Sequence, residues 1–90
     1  MANYIISYDL NGQRPTHAEM DKHIEKLGTC AYRILETVWY VNSTKTRQDM
    51  ATYVSAILSN NDSYIVVDAT DMSFRKLLVS DQKLIDCWAK

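Results

Sequence analysis

The sequence predicts a small α+β domain in which one antiparallel sheet carries its two main helices on a single face. Three observations predict it. The chain opens on a β-rich run, Tyr4-Ile5-Ile6-Ser7-Tyr8-Asp9-Leu10, that stops at Asn11-Gly12. Apolar residues at helical spacing follow it, introduced by a capping signal. Two further runs rich in β-branched and aromatic residues then flank a second helical stripe. Ninety residues, 47% hydrophobic and 23% charged, suit one domain spanning 1–90 with one core. So short a chain buries only about 60–65% of its unfolded surface, which makes association with a second copy a natural source of stability.

In the first strand, alternation puts Ile5, Ser7 and Asp9 on one face and Tyr4, Ile6 and Tyr8 on the other. Residues 11–15 form a loop, and Thr16-His17-Ala18-Glu19 has capping-box spacing. The helix it starts carries Met20, Ile24 and Leu27 on its apolar stripe, Asp21, Lys22, Glu25 and Lys26 on its wet face, and Gly28 at its end. Residues Cys30 to Asn42 read as one long strand, bulged near Glu36, with Arg33, Leu35, Thr37, Trp39 and Val41 together. Ser43, Thr44 and Thr46 offer cap oxygens to a second helix that buries Met50, Tyr53, Val54, Ile57 and Leu58 and ends at Asn60-Asn61. Asp62 to Ala69 is the most hydrophobic strand, and the expectation is that it is central. A short fourth strand is expected around Phe74 to Leu78, followed by a last helix capped at Ser80-Asp81 that buries Leu84, Ile85 and Trp88.

The arrangement these elements fit is βαββαβ with a short C-terminal helix, a ferredoxin-like sandwich. Its second face then has no cover within the chain, and Ile5, Leu35, Trp39 and Val41 are expected on it. A second copy is the simplest lid, so Trp39 and Val41 are the expected dimer interface.

A net charge of −1 argues against a surface that is basic all round. Arg33, Lys45, Arg47, Arg75 and Lys76 are the candidates for a local basic patch. No apolar run is long enough to span a bilayer, and no signal-peptide pattern appears, so a cytoplasmic protein with no membrane partner is expected. Cys30 and Cys87 lack metal-ligand spacing and are expected to be reduced, small hydrophobes.

Tyr8-Asp9-Leu10 at the end of the first strand, Gly28 closing a helix, and Arg33-Ile34-Leu35-Glu36-Thr37-Val38-Trp39 together resemble the CRISPR-associated Cas-two family and its SinR-like relatives. The resemblance covers roughly residues 3 to 70, and the virulence-associated protein D family is similar in fold and in its early aspartate. It implies a ferredoxin-like homodimer in which Asp9 and its copy lie near each other and bind metal. Some members of that family cleave RNA or DNA, and others hold DNA as scaffolds in an integrase complex.

The residues themselves make Asp9 the first candidate, because a carboxylate at the end of a sheet strand needs a cation, a donor or water beside it. In the functional reading, paired Asp9 carboxylates hold Mg²⁺ for phosphodiester cleavage. In the plainer one, Asp9 caps amides of the Asn11-Gly12 turn. Asp68, near the end of the third strand, is a second acid that would lie beside Asp9 if those strands are neighbours. His17 and His23 are the imidazoles, expected to be solvated, and Trp39 and Tyr40 are possible base-stacking groups, more simply core. The expectation is a nucleic-acid-handling homodimer with Asp9 as the catalytic and Mg²⁺-binding residue of an endonuclease acting on RNA or DNA, and Arg33 and Arg47 on phosphates. The alternative is a non-enzymatic dimeric module that binds protein or nucleic acid.

Overall fold

The computed structural model describes residues 1–90, in the order β1 (Ala2–Asp9), α1 (His17–Glu25), β2 (Ala31–Leu35), β3 (Val38–Ser43), α2 (Arg47–Ser55), β4 (Ser63–Asp68) and α3 (Asp81–Trp88). The four strands form one antiparallel sheet in the order β2-β3-β1-β4. Each helix starts where a hydroxyl takes up a free amide. Thr16 Oγ1 accepts from Glu19 N–H at 3.2 Å while Glu19 Oε1 accepts from Thr16 N–H at 2.9 Å, the reciprocal box foreseen from the sequence. Thr46 caps α2 through Asp49 N–H, and Ser80 caps α3 through Lys83 N–H.

The main core lies between the sheet and α1 and α2. Tyr4, Ile6 and Tyr8 of β1 pack there with Met20, Ile24, Met50 and Val54, as the helical stripes and the strand alternation require. A second core lies on the opposite face, where α3 lays Leu84 and Cys87 on Cys30, Ile34 and Tyr40.

Six expectations of the fold are corrected. Ile57 and Ile85 are exposed, not buried, because α2 ends at Ser55 and α3 turns Leu84 and Cys87 onto the sheet. The run from Cys30 to Asn42 is a hairpin of two strands, turning at Glu36-Thr37, with its register shifted between Arg33 and Leu35. The two-residue turn carries no Asn-Gly or Pro, and the bulge between Arg33 and Leu35 offsets the change of face at the turn, so Arg33, Trp39 and Val41 still share a face and the run read as one strand. Trp39 and Val41 pair with Ile6 and Tyr4 and sit at 3% and 0% exposure in the main core, not on an uncovered face. Cross-strand register decides which face a strand's residues join, and alternation within one strand does not contain it. The strand from Ser63 to Asp68 is an edge, not the centre, although Ile65 and Val67 are apolar and exposed. No strand forms around Phe74 to Leu78: Lys76 has φ of 55°, outside any strand conformation, and the segment crosses the second face with Leu78 N–H donating to Ile34 O. Cys30 and Cys87 form a disulfide, with Cα atoms 5.9 Å apart across 57 residues of sequence.

The second face is therefore divided. α3 and residues Met72 to Val79 cover its β2–β3 half and reach Ile5 of β1. The rest of the β1–β4 half, carrying Ser7, Asp9, Ser63, Ile65 and Val67, is left open.

Candidate functional site

Asp9 is the last residue of β1, directly opposite Ser63 of β4, and its side chain is exposed on the open half of the second face. A shallow hollow of about 270 Å³ is lined there by Ser7, Tyr8, Asp9, Ser63, Tyr64 and Ile65. The Asp9 carboxylate takes part in none of the protein's side-chain hydrogen bonds, and the one ion pair, Arg14–Glu19, lies elsewhere. The capping role offered for Asp9 belongs to Asp62. Its Oδ1 accepts from Asn11 N–H at 2.7 Å and its Oδ2 from Ser59 N–H at 2.8 Å, tying the loop after β1 to the loop after α2. Those two amide donors lower the Asp62 pKa from its ordinary 3.8. Gly12 belongs to the same junction, since a Cβ there would meet Ser59 Oγ at 2.7 Å.

Asp68 pairs with Tyr4, five residues along β1 from Asp9, so the two acids are roughly 17 Å apart at about 3.4 Å per residue. No three His, Cys, Asp or Glu side chains converge in a way that could hold a metal ion. Arg33 and Arg47 are exposed and unpaired, but neither joins Asp9. Arg33 lies in β2 opposite Trp39, beside the helix-covered face, and Arg47 begins α2. Trp39 and Tyr40, at 3% and 0% exposure, are closed to any base.

Sequence reasoning missed the polar contacts under the helices. Asp21, assigned to the wet face of α1, accepts at Oδ1 from Tyr8 Oη at 2.9 Å and from Trp39 Nε1 at 3.2 Å. Burial first, and the Asp21 carboxylate second, raise the Tyr8 pKa far above the ordinary tyrosine value, so Tyr8 stays a donor and is no general base. His23 is not solvated. Its ring stacks on Tyr53 at 4.0 Å, its Nε2 lies 2.5 Å from Tyr53 O, and Tyr53 Oη donates to His23 O at 2.6 Å, joining α1 to α2. The polar tips of buried Tyr and Trp were the available signal, because such tips require partners. His17, the first residue of α1, is exposed.

The chain matches no protein-family model and no curated protein.

Proposed function

We propose that the protein is a homodimer that handles nucleic acid, with Asp9 of each copy as its metal-binding carboxylate in an endonuclease acting on RNA or DNA. One observation carries this reading: Asp9 has no protein partner and shares the open half of the second face with exposed Ile65 and Val67. An apolar patch that contains an unpaired carboxylate suits a two-fold contact, in which the patch is covered and the acid is doubled. The element order βαββαβ before α3 and the sheet order β2-β3-β1-β4 support a ferredoxin-like protomer.

The residues present fit Mg²⁺ only as a pair of copies. One or two carboxylates suffice for an ion that keeps several waters and takes its other ligands from phosphate, and one protomer supplies one. When bound, Mg²⁺ would polarise a phosphate oxygen and acidify a water. Asp9 supplies the charge, and the Ser7 and Ser63 hydroxyls beside it can hydrogen-bond the phosphate or the water. Ile65 and Val67 exclude solvent around the pair.

A second reading is favoured by Arg33 and Arg47 lying away from the face that carries Asp9. Phosphate contacts and carboxylate on different faces suit a dimeric module that binds nucleic acid or protein without cutting it.

The test compares the parent with Asp9→Asn on single- and double-stranded RNA and DNA, with Mg²⁺ or Mn²⁺. Cleavage is expected to fall by at least about a hundredfold while the dimer persists. Cleavage that survives in Asp9→Asn rejects the site, and none in the parent favours the module. Light scattering should show a dimer that Ile65→Glu splits without unfolding, because a charge would be buried at the contact.

A further inference from the structure

We propose that Cys30–Cys87 is a thiol-exchange site that holds or releases α3, and that its co-reactant is a small dithiol. The proposal rests on how α3 is attached, on a hollow that reaches Cys30, and on a buried acceptor left unpaired beside it.

α3 hangs on residues 69–80, which contain no helix or strand. Apart from the disulfide, it is held on the sheet by buried Leu84, by Trp88 stacked on Tyr40 at 5.7 Å, and by one hydrogen bond, Asn3 Nδ2 to Trp88 O at 3.2 Å. The disulfide fastens its last turn to the residue that precedes β2.

Both cysteines are buried, but Cys30 lines a surface hollow of about 350 Å³ whose wall includes Thr29, Asn42 and Lys90. A small thiol reaches Cys30 by that route, and the Lys90 ammonium at the hollow favours the thiolate form that attacks. Asn42 donates its backbone N–H to Cys30 O at 3.0 Å, directly across the β2–β3 pair, so the two side chains share a face. The Asn42 amide nitrogen donates to Asn3 Oδ1, whereas Asn42 Oδ1 is buried with no partner. A disulfide sulfur has no hydrogen to give, and a Cys30 thiol has one. Reduction thus supplies the donor that this acceptor lacks.

In the exchange, one thiolate of the dithiol attacks Cys30 Sγ. An S–S bond forms between reagent and Cys30 as the Cys30–Cys87 bond breaks, and the electron pair leaves on Cys87 Sγ, which takes a proton. The second thiol of the reagent then attacks the reagent's own sulfur in the mixed disulfide. The reagent closes as a disulfide, oxidised by two electrons, and Cys30 leaves as a thiolate and is protonated. α3 is then retained only by Leu84, the Trp88 stack and the Asn3–Trp88 hydrogen bond, and the β2–β3 half of the face can open.

The test uses the whole chain and dithiothreitol. Thiol titration of the denatured, air-oxidised protein should find none per chain, and two after reduction. Hydrogen exchange in 81–88 should speed up at least about tenfold on reduction while 2–9 stays protected. Cys87→Ser should exchange fast with or without dithiothreitol. Asn42→Leu, which removes the acceptor, should favour the oxidised form by about fivefold in a dithiothreitol redox buffer. Free thiols after oxidation, or equal protection of α3 in the two forms, would overturn the proposal. If Cys87→Ser does not fold, the oxidised and reduced parent still give the comparison. None of these readouts involves nucleic acid or a second copy, so they fail independently of the proposed function.

Discussion

The two halves of the second sheet face use similar residues to different ends. On the β2–β3 half, Ile34 and Tyr40 are sealed under α3, at 3% and 0% exposure. On the β1–β4 half, Ile65 and Val67 remain 56% and 42% exposed, and Asp9 stands beside them. α3 and the segment before it cover one half and leave the other bare. The exposed apolar side chains of the bare half are the basis of the proposed two-fold contact. The covered half adds a second core to the fold, and the open half carries a carboxylate with no partner in the protein.

Replacing both cysteines with serine should give the largest effect on this contrast. Closing a loop of 57 residues contributes about 4 kcal/mol in the chain-entropy account, and a loss of that order in urea melts is expected, mostly from the covered half. A loss under about 1 kcal/mol would mean that α3 is held by packing instead. Next in size is a matched pair. Leu84→Ala should cost about 2–5 kcal/mol because Leu84 is buried at 1% exposure. Ile65→Ala should stay within about 0.5 kcal/mol in the monomer, since it gives up little buried area. Equal costs measured by denaturation at a concentration where the protein is monomeric would erase the distinction between the halves.

The smallest effect concerns the junction at the Asp9 end of the open half. Asp62 has a pKa lowered by the Asn11 and Ser59 amides, so its latch contributes fully above the ordinary value of 3.8 and is lost as pH falls through the lower folded value. The Asn11 and Ser59 amide shifts should titrate together in that acid range. Asp62→Asn should abolish the transition while leaving the fold intact. A pair of amides that moves with pH in Asp62→Asn would assign the latch to another group.

Much of the local structure was legible in the residues. The Thr16–Glu19 box, the Met20–Ile24 stripe and the alternation of Tyr4, Ile6 and Tyr8 all rest on contacts within a few positions of one another, and each appears as read. Asp9 at the end of a strand was legible too, because its position depends only on where β1 stops. Other features depend on pairs far apart in the chain. The pairing of Trp39 with Ile6 turned an expected interface residue into core, and the Cys30–Cys87 bond turned two expected free thiols into a fastening. The edge position of Ser63–Asp68 left the most apolar strand half bare. Propensity, capping and periodicity act over one or two turns and are carried by sequence itself. Register, sheet order and which face receives a helix follow from competition among distant segments for the same apolar surface, and only the folded chain resolves it.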